Sequence, residues 1–260
     1  MVRAMGRISG QFRTTRRGFV LAGLAAAGCA AQGDLSAGEQ GRVARVLDGD
    51  ALALDTGLRV RLVEVEAQAP GYDGRADEPW AVEARGVLQA AAVGRQAQLW
   101  YGGLSRDSYE RALAHVIVRD EVGGEVWLNG MVVRQGAGRV RTYTDNARRA
   151  RRLLAMEAEA RAANRGLWAD AHWRVRGLDD LEGAPNFAIV EGEIAALGEM
   201  AGDGEAHLAR GGIRFDVGER LGMADVALAV GTRVRVRGRI DAREGEPKMR
   251  VTHWAQVEVL

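Results

Sequence analysis

The sequence predicts a mainly β fold with inserted helices: a small five-stranded Greek-key barrel followed by a second, smaller β-rich unit. Three observations carry this expectation. Short runs of alternating or continuous apolar residues recur from Gly41 onward and are separated by turn signals. Helical spacing enters only between those runs, over 81–93, 125–135 and 147–163. Beyond a polar, glycine-bearing stretch at 170–184 the strand-like runs resume.

Each element follows from local chemistry. Residues 42–47 (Arg-Val-Ala-Arg-Val-Leu) and 51–54 (Ala-Leu-Ala-Leu) flank Asp48-Gly49, a hairpin signal in which glycine supplies positive φ without steric cost. A second turn, Asp55-Thr56-Gly57, leads into a third strand over 58–65. After an acidic loop from Pro70 to Pro79, Ala84, Val87, Leu88, Ala91 and Ala92 share one stripe of a helix that Gly94 closes. Residues 96–101 and 112–118 complete the five strands. A short helix opens at Glu125 and runs through Gln135, and a longer one runs from Ala147 to Ala163. In the second unit, strands are expected at 187–194, 212–217, 232–240 and 249–260. The domain plan is a leader over 1–31, a tether over 32–40, a barrel domain over 41–169, a linker over 170–184 and a small β-rich domain over 185–260.

The chain has 260 residues, of which 47% are hydrophobic and 27% charged, with 4 Pro, a balance that excludes extended disorder. One cysteine, Cys29, excludes an internal disulfide framework and a zinc site built on several thiolates. The histidines, His115, His172, His207 and His253, are scattered without metal-ligand spacing. The net charge of +1 averages unlike parts, because residues 1–33 hold five arginines and no acid, and the remainder is net −4. Such a chain is no general polyanion binder, so phosphate chemistry has to reside in a local arginine cluster.

Arg16-Arg17 precede a short apolar stretch over 21–28, too short for a bilayer, which takes roughly 20 residues. The segment resembles a twin-arginine signal peptide, and Ala26-Ala27-Gly28-Cys29 resembles a lipoprotein box. An exported protein is expected, periplasmic or lipid-anchored at the envelope through Cys29, with ordinary cleavage after Ala30 or Ala31 also open.

Three stretches occur in a fixed order: Val46-Leu47-Asp48-Gly49-Asp50, Val60 to Ala67, and Arg106 to Ala114. Val126, Asn129, Val132, Val133 and Gln135-Gly136-Ala137 continue the series, and Asn164-Arg165-Gly166-Leu167-Trp168 ends it. Together they resemble the staphylococcal-nuclease-like (thermonuclease) family over about residues 41–169. The resemblance implies an OB-fold barrel and a calcium-dependent phosphodiesterase acting on DNA or RNA. On this sequence it places Ca²⁺ on Asp50 and Glu66, with the Ala67 carbonyl as a further ligand, and phosphate-clamping catalytic arginines at Arg61 and Arg111. Hard oxygen ligands suit Ca²⁺, and guanidinium forks match phosphate oxygens.

The sequence departs from the family at three points. Glu66 stands where a shorter Asp is usual, Gln68 stands where the family has a Pro, and Ala69 stands where the general base belongs. General-base assistance is worth about 100- to 10,000-fold, so its loss leaves weak hydrolysis at most. Glu64, Asp73, Asp77, Glu78 and Glu83 lie near the gap, and Glu78 is the favoured replacement. Two functions stay open: a weakened calcium-dependent nuclease, and a non-catalytic OB-fold module that binds a partner or serves envelope structure.

Other residues have plainer readings. Arg148, Arg149, Arg151 and Arg152 read as a solvated helix face, His115 as a packed histidine, and Trp100, Trp127 and Trp168 as core. Arg233, Arg235, Arg237 and Arg239 alternate along one side of a strand, as a solvated face balanced by Asp241, Glu244 and Glu246 or as a track for nucleic-acid backbone.

Overall fold

The computed structural model describes residues 34–71, 73–120, 122–200, 203–208, 214–216, 228–241 and 247–260. The leader expected over 1–31, with Cys29, and Glu244 and Glu246 lie outside the described residues.

The first domain is a closed ring of five strands. β1 (Ser36–Asp48), β2 (Ala51–Leu54) and β3 (Arg59–Leu62) form an antiparallel meander. β4 (Val65–Glu66) and α1 (Ala81–Ala92) follow, then β5 (Gln96–Tyr101) and β6 (Ala112–Arg119). β5 pairs with both β1 and β6, and β6 closes the ring by running parallel to β3, with Arg61 opposite Leu113. β7 (Glu125–Trp127), α2 (Leu128–Arg134), β8 (Arg139–Val140) and α3 (Ala150–Ala162) complete the domain. Its interior is filled by Leu52, Leu54, Val60, Leu62, Leu88, Leu99, Val116 and Leu128, all fully or almost fully buried. Helix α1 packs by Ala84, Leu88 and Ala92, the stripe that its spacing predicts, and Gly94 ends it with φ of 79°.

The second domain repeats this connectivity. β9 (Arg176–Gly177) leads to β10 (Phe187–Met200), β11 (Asp203–Leu208), β12 (Arg214–Asp216), β13 (Arg233–Asp241), β14 (Lys248–Met249) and β15 (Val257–Val259). β10 pairs with β11 and β13, β11 with β12, and β13 with β14, all antiparallel, while β12 and β14 close the ring in parallel. The ring order and the position of its parallel pair are those of the first domain, so the chain holds two barrels of OB-like topology.

Four expectations need correction. Residues 36–40 are no tether, because Ser36 and Ala37 already pair with Tyr101 and Trp100 on β5. Gly49 does not supply positive φ; it is needed because a Cβ there would stand 2.6 Å from the Ala67 Cβ and 2.8 Å from the Ala84 Cβ. Residues 125–127 are strand rather than helix, since they pair with β6 and the helix starts only at Leu128. The arginine stripe on β13 is solvated only at its ends, Arg233 and Arg239, and its middle is neither solvated nor a backbone track. Arg237 is fully buried against Glu157 of α3 at 2.6 Å and against Glu258, and Arg235 pairs with Glu191 and Glu258.

That ion network joins the two barrels. A seam of Ala160, Leu167, Trp168, Trp173 and Ile189 lies beside it, so the 170–184 stretch is packed rather than free. Arg139 donates to the Phe187 carbonyl at 2.6 Å, and Thr144 Oγ1 donates to the Thr252 carbonyl at 2.8 Å. The arginines before and within α3 are engaged too: Arg149 pairs with Asp34, Arg151 lies over Trp254 and Arg152 over Trp127.

Candidate phosphate-binding cleft

The β1–β2 turn presents Asp50. Its backbone carbonyl accepts from Leu62 N–H at 2.8 Å, which places Arg61 of β3 beside it. The turn reaches the β4 segment because Gly49 has no side chain to hold it off Ala67. Asp50 Oδ2 accepts from Ala67 N–H at 2.6 Å, and Oδ1 pairs with Arg61 Nη1. The carboxylate is 1% exposed, so its charge is taken up inside the protein.

Glu64 lines the cleft, and Asn129 fixes the turn that carries it. Buried Asn129 accepts from Val116 N–H at 3.0 Å and donates to the Val63 carbonyl at 2.9 Å, fastening the 63–64 turn to β6. Glu64 sits in that turn at φ of 61°, with its carboxylate buried. It accepts from Arg149 N–H at 3.0 Å and lies 3.2 Å from His115 Nε2. His115 is packed as its apolar strand predicts.

Arg111 enters from the loop before β6. Asp107 shapes that loop by accepting from the N–H groups of Tyr109 and Arg111 at 2.9 and 3.0 Å, and it pairs with Arg111 Nε at 2.6 Å. Burial pushes the Asp107 carboxyl upward, but these hydrogen bonds and the Arg111 charge outweigh it and hold its pKa below the usual value. The carboxylate therefore stays charged and keeps Arg111 oriented through the neutral range.

These parts surround one cleft of about 290 Å³, lined by Arg61, Glu64, Asp107, Arg111, Arg141 and Tyr143 among others. Arg61 and Arg111, which the resemblance pairs, line it together. Their charges reach one another: burial lowers the Arg61 pKa, the Glu66 carboxylate opposes that, and the Arg111 charge adds to it. Arg141, which follows β8, is a third guanidinium on the lining that the sequence reading missed. The alternation Arg139-Val140-Arg141 is the signal that could have found it, since both arginines lie beside the Phe187 ring while Val140 packs in the core. Arg141 Nη1 pairs with Glu66 Oε2 at 2.5 Å. Burial works against its charge, but Glu66 more than compensates and its pKa is raised.

Asp50 and Glu66 thus each hold an arginine. Among the described residues no group of three or more His, Cys, Asp or Glu side chains is arranged to hold a metal ion. The carboxylates on the cleft lining are Glu64, Asp107 and Asp145. Glu78 is elsewhere: its carboxylate accepts from Ala69 N–H at 2.8 Å, and Asp77 likewise accepts from Gly71 N–H at 2.6 Å.

Residues 59–170 match the family model described as Staphylococcal nuclease homologue. This staphylococcal-nuclease-like domain takes in Arg61, Glu66, Arg111 and Arg141, while Asp50 lies just ahead of the matched residues. The closed β3-β2-β1-β5-β6 ring, of which β1 and β2 lie ahead of the matched residues, fits an OB-like domain of this kind. No curated protein matches the chain. The second barrel, β10 to β15, lies beyond the match.

Proposed function

We propose that the cleft is a phosphodiester-binding site for single-stranded DNA or RNA on an exported protein, with hydrolysis weak or absent. The carrying observation is the convergence of Arg61, Arg111 and Arg141 on one cleft whose acidic neighbours are mostly engaged. Arg111 uses Nε for Asp107, which leaves its two Nη groups for phosphate oxygens. Tyr109 and Tyr143, both exposed, stand 5.6 and 5.2 Å from the guanidinium carbons of Arg111 and Arg141. Exposed rings beside a cationic groove suit unstacked bases. Export rests on the amino-terminal Arg16-Arg17 segment.

The weak catalysis follows from Ala69 and from the neighbouring acids. Glu64 is buried and hydrogen-bonded, Asp107 is tied to Arg111, and Glu78 holds the Ala69 N–H. Asp145, exposed on the lining, favours a second reading in which a slow phosphodiesterase uses it to orient water.

Fluorescence anisotropy with a labelled oligonucleotide tests the binding. The wild type binds, Arg111→Ala loses about tenfold or more in affinity, and Arg174→Ala, on the far exposed loop, leaves affinity unchanged. Absence of binding, or equal loss in both variants, rejects the cleft as the site. A gel assay at high protein concentration tests the second reading: residual cleavage that disappears in Asp145→Asn supports it, and cleavage indifferent to that change removes it.

A further inference from the structure

Calcium is the cation that the family resemblance implies for this cleft, and the side chains present do not fit it. Ca²⁺ takes six to eight oxygens at about 2.3–2.6 Å. Asp50 spends one carboxylate oxygen on Arg61 and the other on Ala67 N–H. Ala67 thus turns a hydrogen-bond donor, not an oxygen, toward Asp50. Glu66 is held by Arg141 at 2.5 Å.

We propose that Arg141 is a built-in cation which takes the place of a divalent ion, so that the cleft binds phosphodiester oxygens without metal. The proposal rests on the phosphodiester reading above and specifies the charge that serves it. Arg141 is well placed for such a role because three groups hold it. Glu66 fixes one Nη group, and the Tyr143 and Phe187 ring centres lie 5.2 and 5.4 Å from its guanidinium carbon. A guanidinium beside aromatic rings is attracted to their faces and keeps its charge while leaving further N–H groups to donate.

Phe187 is the first residue of β10, so the second barrel supplies one of these supports. The segment that carries Arg141 is fastened to that barrel on either side. Arg139 donates to the Phe187 carbonyl, and Thr144 to the Thr252 carbonyl. The second barrel is therefore a positioning element for the cleft's third arginine.

Two measurements on the full chain test this. The first is calorimetric titration with CaCl₂ alone. The wild type should show no stoichiometric Ca²⁺ binding, whereas Arg141→Gln, which releases Glu66, should gain it at millimolar concentration. The second is anisotropy with a labelled oligothymidylate. Wild-type affinity should agree within about twofold between EDTA and 2 mM CaCl₂. Arg141→Gln should lose about tenfold in EDTA and recover part of it with CaCl₂, and Phe187→Ala should lose less. Circular dichroism confirms that the variants fold, and Arg141→Lys, which keeps the charge, should retain most of the EDTA affinity should Arg141→Gln prove unfolded. Stoichiometric Ca²⁺ binding by the wild type, or wild-type oligonucleotide affinity that collapses in EDTA, overturns the proposal. Absence of any oligonucleotide binding instead defeats the phosphodiester reading, and the CaCl₂ titration still decides whether Arg141 stands in for the ion.

Discussion

Arg237→Met removes the guanidinium that joins the two barrels. Arg237 and Glu157 side chains are both 0% exposed and lie 2.6 Å apart. Without Arg237, Glu157 keeps one hydrogen bond, from Val140 N–H at 2.9 Å, and only the charges of Arg139 and Arg161, with neither of which it forms an ion pair, to oppose its buried charge. Glu258 is better protected, because Arg235 and Arg161 remain 3.1 and 3.6 Å away. The cost therefore concentrates on Glu157, and breaking one partner of a buried pair costs about 3–5 kcal/mol. Glu157→Gln still accepts from Val140 N–H and leaves Arg237 with Glu258 as its one remaining ion pair. The double variant has neither charge and should recover about 2 kcal/mol or more relative to the sum of the single losses. Urea unfolding of the full chain, followed by tryptophan fluorescence, measures all four corners of this cycle. A loss below about 1 kcal/mol for Arg237→Met, or strict additivity in the double variant, would refute the buried interdomain pair as a structural lock.

Two further perturbations follow from the turn that carries Asp50. Burial raises the Asp48 pKa above its ordinary 3.8, so the folded state holds that proton more tightly and the charged form costs stability at neutral pH. Asp48→Asn should therefore raise Tm near pH 7, and the gain should vanish below pH 3.8, where Asp48 is protonated in both states; an equal gain at every pH would contradict the burial argument. Gly49→Ala places a methyl 2.6 Å from the Ala67 Cβ and should cost about 1–3 kcal/mol in thermal or urea unfolding, while an unchanged midpoint would mean the turn does not pack as described.

The first barrel was legible because each strand carries its own local signal. Gly57, at φ of 86°, and Gly94 mark turn and cap as their sequence context predicts, and the α1 stripe is buried in register. Residues 36–40 were misread because Ser-Ala-Gly-Glu-Gln lacks apolar alternation; their strand is made by pairing to β5, which is a tertiary effect. Arg61 and Arg111 were found through motif order, which carries across distance in the chain. Arg141 was not, because its importance comes from Glu66, 75 positions away, and from Phe187 in the other barrel. For Arg235 and Arg237 of β13 the solvated reading failed for a similar reason. Alternation reveals that they share a face, but only the folded chain reveals that α3 covers it with Glu157. Strand β11 had no expectation attached to it; of Asp203 to Leu208 only Ala206 and Leu208 are apolar, and His207 stands between them.

The salt dependence of oligonucleotide affinity tests the three-arginine cleft most directly, because each arginine that meets a phosphate releases counterions. Three phosphates neutralised on a single strand give a log–log slope of about −2, and removing any one of the arginines should flatten it by about 0.7. Arg111→Ala and Arg141→Gln should each flatten the slope by that amount, and together they should flatten it by twice as much. A slope identical in the wild type and both variants would show that Arg61, Arg111 and Arg141 share a cleft without sharing a ligand.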